Sequence, residues 1–101
     1  MVTGFHHVGI SVRDLDRSIA FYRDVFGMAQ AVEPFPFAGE DYAAIMEQPG
    51  TSGRMTMMLK GTLALELFEF HQPAPRPKDA AYPVADHGLT HFGVWVEDID
   101  A

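Results

Sequence analysis

Hydrophobic and polar positions alternate strictly near the start of the chain. Val8, Ile10 and Val12 share one parity, and His7, Gly9 and Ser11 share the other. A period of two is that of a strand with one buried side, so Phe5 to Val12 is expected to be a strand with an apolar core face and a polar, open face. The period then changes. Leu15, Ile19, Tyr22 and Phe26 form the stripe of an amphipathic helix over about Leu15 to Phe26, with Asp14 placed to cap it and Gly27 to end it. Met28 to Val32 reads as a second strand, after which Pro34, Pro36 and Gly39 open an irregular stretch with a short helical turn near Tyr42 to Met46. Pro49, Gly50, Ser52 and Gly53 mark a turn. Two further runs, Arg54 to Leu59 and Thr62 to Phe70, joined at Lys60-Gly61, read as a hairpin. In the second run Leu63, Leu65 and Leu67 form the apolar face, with Ala64, Glu66, Phe68 and Phe70 opposite. Glu69 falls on the leucine side near the strand end, where solvation is expected.

The segment Gln72 to Pro83 carries Pro73, Pro75, Pro77 and Pro83 and cannot continue a ladder, so it reads as an extended connection between two modules. Beyond it the opening pattern returns. Thr90-His91-Phe92-Gly93-Val94-Trp95-Val96-Glu97-Asp98-Ile99-Asp100 matches His6 to Asp16 in register, 84 residues apart, in both identity and alternation. The expected division is a first module over residues 1–71, a connection over 72–88, and over 89–101 the first strand of a second module and a possible helix start. On this reading the sequence stops early.

Composition narrows the chemistry. The chain has 101 residues, enough for one modest domain, and 14 Asp and Glu against 7 Lys and Arg leave a net charge of −7. Such a charge repels phosphate backbones and anionic lipid surfaces, which argues against nucleic-acid and membrane roles. No apolar run reaches the roughly 20 residues of a spanning helix, and the N-terminus lacks a leader pattern, so a soluble, cytoplasmic protein is expected. Without cysteine, any metal must be held by nitrogen and oxygen.

Parity then places His7 and Glu66 on the open faces of their strands, and His91 likewise with Gly93 and Trp95, opposite Phe92, Val94 and Val96. An unpaired carboxylate in an apolar strand is costly, so Glu66 needs a partner. A metal ion is one candidate and a salt bridge to Arg54 or Lys60 is the other. Imidazole and carboxylate together suit Zn, Ni, Fe(II), Mn or Co, and two His with one carboxylate is also the set of non-haem Fe(II) oxygenases. His6 has the opposite parity and is expected to hydrogen-bond at the strand edge, while His71 and His87 are expected to be exposed. Phe68, Phe70 and Trp95 are candidates to line a substrate site, with aromatic packing as the alternative. Arg13, Arg17 and Arg23 read as a solvated helix face.

The stretch from His7 through Phe21-Tyr22-Arg23 to Gly27-Met28, the motif Leu65-Glu66-Leu67, and Gly88-Leu-Thr-His91-Phe-Gly-Val resemble the vicinal-oxygen-chelate superfamily of glyoxalases, bleomycin-resistance proteins and extradiol dioxygenases. The resemblance covers nearly the whole chain. It implies an α+β fold of paired βαβββ modules forming a cup, with His7, Glu66 and His91 at three ligand positions for a divalent metal ion. It further implies a small-molecule substrate bound through adjacent oxygens and lyase, isomerase or dioxygenase chemistry, with Glu66 or a missing fourth-ligand Glu moving the proton. A sheet left without its second-module wall has an exposed edge and an open apolar face, so a homodimer is expected. The family's fourth ligand comes from the last strands of the second module, which this sequence does not reach. A metal-free drug-binding protein of the bleomycin-resistance type, or an inactive module, are the rival expectations.

Overall fold

A computed structural model describes residues 1–101. Its elements are β1 (Val8–Ser11), α1 (Leu15–Asp24), β2 (Ala29–Gln30), β3 (Phe35–Ala38), α2 (Glu40–Ile45), β4 (Ser52–Lys60) and β5 (Leu63–Gln72). The two longest strands, β4 and β5, form the expected antiparallel hairpin, with Lys60 opposite Leu63 across the turn. β1 lies parallel to β5 on one side, and β2 and β3 pair in succession along the outer edge of β4. The result is an α+β sheet with α1 packed on one face.

That face is apolar for the reason the alternation gives. The register sets Val8 against Leu65, Ile10 against Leu67 and Met58 against Leu65, so their side chains share the α1 side of the sheet. Leu15 and Ile19 from the helix stripe close over them with Met28, and Leu15, Met58, Leu65 and Leu67 are fully buried. Each such side chain contributes about 1.5–3 kcal/mol relative to an exposed position. Asp14 caps α1 by accepting the Arg17 N–H at 3.0 Å, and Gly27, at φ 66°, turns the chain where a side chain would be strained. The helix stops at Asp24 rather than near Phe26, because Val25 makes its last helical bond, to the Phe21 carbonyl.

Three regions depart from the expectations. Phe5 to His7 makes no ladder, and Phe5 is exposed. The stretch read as irregular contains β3, in which Phe37 is buried against Gly53 of β4; Pro36 is tolerated because this is an edge strand. Residues 89–101, expected to supply a further strand, form none. A strand exists through its ladder, and this segment finds no partner backbone within the chain.

Candidate functional site

The face of the sheet opposite α1 collects the polar parity. Gly9 stands beside Glu66 in the parallel pair, which brings His7, two residues earlier on the same face, next to that carboxylate. His7 Nε2 lies 3.6 Å from Glu66 Oε2, with the two side chains 37% and 20% exposed. The separation is too long for a hydrogen bond. It is close to the roughly 3.4 Å that separates two donors each about 2.1 Å from one tetrahedral ion. The other ring nitrogen of His7 is engaged: Nδ1 sits 2.6 Å from His6 Nδ1, with the rings edge to face. If His7 Nδ1 donates this bond, Nε2 keeps its lone pair directed toward Glu66, which is the tautomer a metal ligand requires. His6 makes a side-chain hydrogen bond, as expected, though just ahead of β1 rather than within a strand, and its partner is the ring of His7.

The alternative partners of Glu66 are occupied elsewhere. Arg54 lies on the α1 side, where it bonds Asp16 at 3.1 Å and Glu69 at 3.4 Å, and Lys60 donates to the Gly27 carbonyl at 3.4 Å. His91 does not join the pair; it is exposed, its Nδ1 2.8 Å from the Thr90 hydroxyl, and no three His, Asp or Glu side chains are gathered so that they could hold a metal ion. One nitrogen donor and one oxygen donor thus stand side by side on the open face, with no third ligand beside them.

Phe68 and Phe70 lie on the open face as expected and are half-buried. They stack at 5.9 Å and both meet the ring of Phe37, at 5.9 and 5.4 Å, building an aromatic wall that Tyr42 extends. Trp95 stands apart from this wall. It is fully exposed, at the rim of a separate cavity of about 490 Å³ formed with Val25, Phe26 and Leu63. Phe37 is the wall residue that sequence reasoning missed; the alternation Phe35, Phe37 was present, but the interleaved prolines masked it.

Glu69 was expected to be solvated and is not. Its carboxylate is 18% exposed, accepts the Leu15 N–H at 2.7 Å, and contacts His71 Nε2 at 2.9 Å and Arg54 at 3.4 Å. The Leu15 bond first, then those of His71 and Arg54, outweigh burial and pull its pKa from 4.5 to about 2. This network pins the start of α1 to β4 and β5, and so fixes the exit of β1, the strand that follows His7.

Residues 4–101 match the family described as the Glyoxalase/Bleomycin resistance protein/Dioxygenase superfamily. Over 102 residues the chain is 30% identical to a 2-epi-5-epi-valiolone epimerase from an Actinomyces species, covering 95% of this chain and 53% of that protein. Over 96 residues it is 32% identical to the uncharacterized protein YaeR of Escherichia coli strain K12, covering 95% of this chain and 63% of that one. The chain therefore spans between half and two thirds of the length of these curated relatives. The crystal structure of a glyoxalase family protein from Bacillus cereus superposes with a TM-score of 0.84 over 99% of this chain and 67% of that chain, at 24% identity, and shares the fold. By sequence and by fold, the chain belongs to the glyoxalase, bleomycin resistance protein and dioxygenase superfamily.

Proposed function

We propose that His7 and Glu66, joined by His91, hold a divalent metal ion in an enzyme of glyoxalase or epimerase type acting on a small substrate with adjacent oxygens. The observation that carries this reading is the approach of His7 Nε2 to Glu66 Oε2 at 3.6 Å, with the second nitrogen of His7 tied to His6. The epimerase relative, 30% identical along this chain, favours proton-transfer chemistry over ring cleavage. His91 enters the proposal from its repeat of His7, as a ligand delivered when residues 89–101 pair as a strand.

A bound ion would supply Lewis acidity at the substrate oxygens. The chain's own residues then have distinct tasks. His7 offers Nε2, His6 holds the tautomer, and Phe37, Phe68 and Phe70 form a dry wall beside the pair. Glu66 is the carboxylate beside His7 on this face, so it would serve both as ligand and as base. The ion would come from the set Zn, Ni, Fe(II), Mn and Co. A second copy of the chain is the proposed partner, since the open face and the unpaired edge of β1 lack cover.

Calorimetric titration with Mn(II), Zn(II), Ni(II), Co(II) and anaerobic Fe(II) tests the site. His7→Ala and Glu66→Gln are each expected to weaken binding by about a hundredfold, and His6→Ala by about tenfold, as the loss of an orienting partner does. Undiminished affinity in folded His7→Ala and Glu66→Gln proteins would sink the metal reading. The aromatic wall favours one second reading, a metal-free cup for a flat ligand; tight binding of an aromatic compound by the Glu66→Gln protein, lost in Phe68→Ala, would select it.

A further inference from the structure

The chain is acidic overall, yet the only charged residues lining one of its cavities are cations. Ser11, Val12, Arg13, Pro75, Arg76, Pro77 and Lys78 bound a space of about 690 Å³ where the end of β1 meets the proline-rich segment. Three of the chain's seven Lys and Arg residues are in that lining, and no Asp or Glu is. None of the three forms an ion pair, whereas Arg23 is matched by Asp24, and Arg54 by Asp16 and Glu69.

The carboxylates nearest in sequence are engaged elsewhere. Asp14 accepts the Arg17 N–H at 3.0 Å, and Asp79 accepts the Ala81 N–H at 2.8 Å. Lys78 is not a free tether: its ammonium sits 4.4 Å from the centre of the Tyr82 ring, and the Tyr82 hydroxyl donates to the His87 carbonyl at 3.1 Å. Pro75 and Pro77 bracket Arg76 and restrict its backbone. Unmatched like charges around one cavity repel, and an anion bound among them relieves that cost.

We propose that this cavity binds a small organic molecule through its phosphoryl group. Two guanidinium groups and an ammonium, with the Ser11 hydroxyl, match the charge and multiple acceptors of a phosphoryl dianion better than those of a single carboxylate. The cavity volume falls within the roughly 300–1,000 Å³ of ordinary ligand sites, so a bare phosphate would leave most of it empty. The site lies apart from the histidine and glutamate pair. Ser11 follows His7 by four residues, about 13 Å along an extended strand. The inference stands on its own residues and does not depend on the metal reading.

The test is titration of the whole chain with glycerol phosphate, followed by amide chemical shifts in heteronuclear NMR. Shifts are expected at Ser11, Val12, Arg13, Arg76 and Lys78. Arg13→Gln, Arg76→Gln and Lys78→Gln are each expected to weaken binding about tenfold, while Arg17→Gln leaves it unchanged and Lys78→Arg retains it. Inorganic phosphate is expected to bind more weakly at the same residues; equal affinity would overturn the assignment to an organic ligand. No shift at these residues in the wild-type chain, or a weakening of about tenfold by Arg17→Gln, would overturn the site itself, and neither result depends on how the cavity variants fold.

Discussion

Val8–Ser11 and residues 92–96 carry nearly the same pattern, yet one is a strand and the other is an exposed ribbon. The first has β5 along its edge and α1 beneath it: Ile10 packs on a core that includes the fully buried Leu65 and Leu67. The second has neither, and Val94 and Val96 are 46% and 57% exposed. Alternation states which side of a strand would be buried, while the ladder and the opposing layer decide whether the strand forms.

This contrast can be broken or sharpened by measurement. The largest effect is expected in the core of the paired region: Leu65→Ala should cost about 2–5 kcal/mol in urea unfolding, whereas Val94→Ala should change stability by less than about 0.5 kcal/mol. Comparable losses at the two positions would show that the ribbon is packed after all. Next comes the Glu69 network. Because its folded pKa, about 2, lies below the ordinary 4.5, its contribution is complete above pH 4.5 and is lost as the pH falls toward 2. Glu69→Gln should remove that acid-side slope and cost on the order of 2 kcal/mol at neutral pH; an unchanged slope would mean the tether to Leu15 carries no weight. Asp14→Ala should cost about 1 kcal/mol, the ordinary value of a helix cap, and Asp98→Ala, its counterpart in the repeat, close to nothing. The smallest signal is spectroscopic. Trp95 is the sole tryptophan and fully exposed, so its emission should be that of a hydrated indole and readily quenched by iodide. A blue-shifted, protected emission at high protein concentration would show the ribbon finding a partner.

Much of this was legible in the residues because the deciding interactions are local or periodic. The helix stripe from Leu15, the Asp14 cap and the β4–β5 hairpin follow from spacing alone, and parity was enough to place His7 and Glu66 on one face. Parity also put Glu69 correctly on the leucine side, but its main partner is the backbone of a residue 54 positions away, which no local pattern reveals. Phe37 was hidden by the prolines around it, which argue against a strand except at an edge. His91 shows the remaining limit: the repeat matches it to His7, but without a paired strand behind it the side chain is exposed and apart from Glu66.

The unpaired edge of β1 and the bare ribbon also have a colloidal consequence. Both offer hydrogen-bonding backbone or apolar side chains to any neighbouring copy, and what opposes indiscriminate sticking is the charge of −7. That protection vanishes near the isoelectric point of about 4.9 and is thinned by added salt. For this chain, buffer pH and ionic strength set the balance between dispersed molecules and clumped ones.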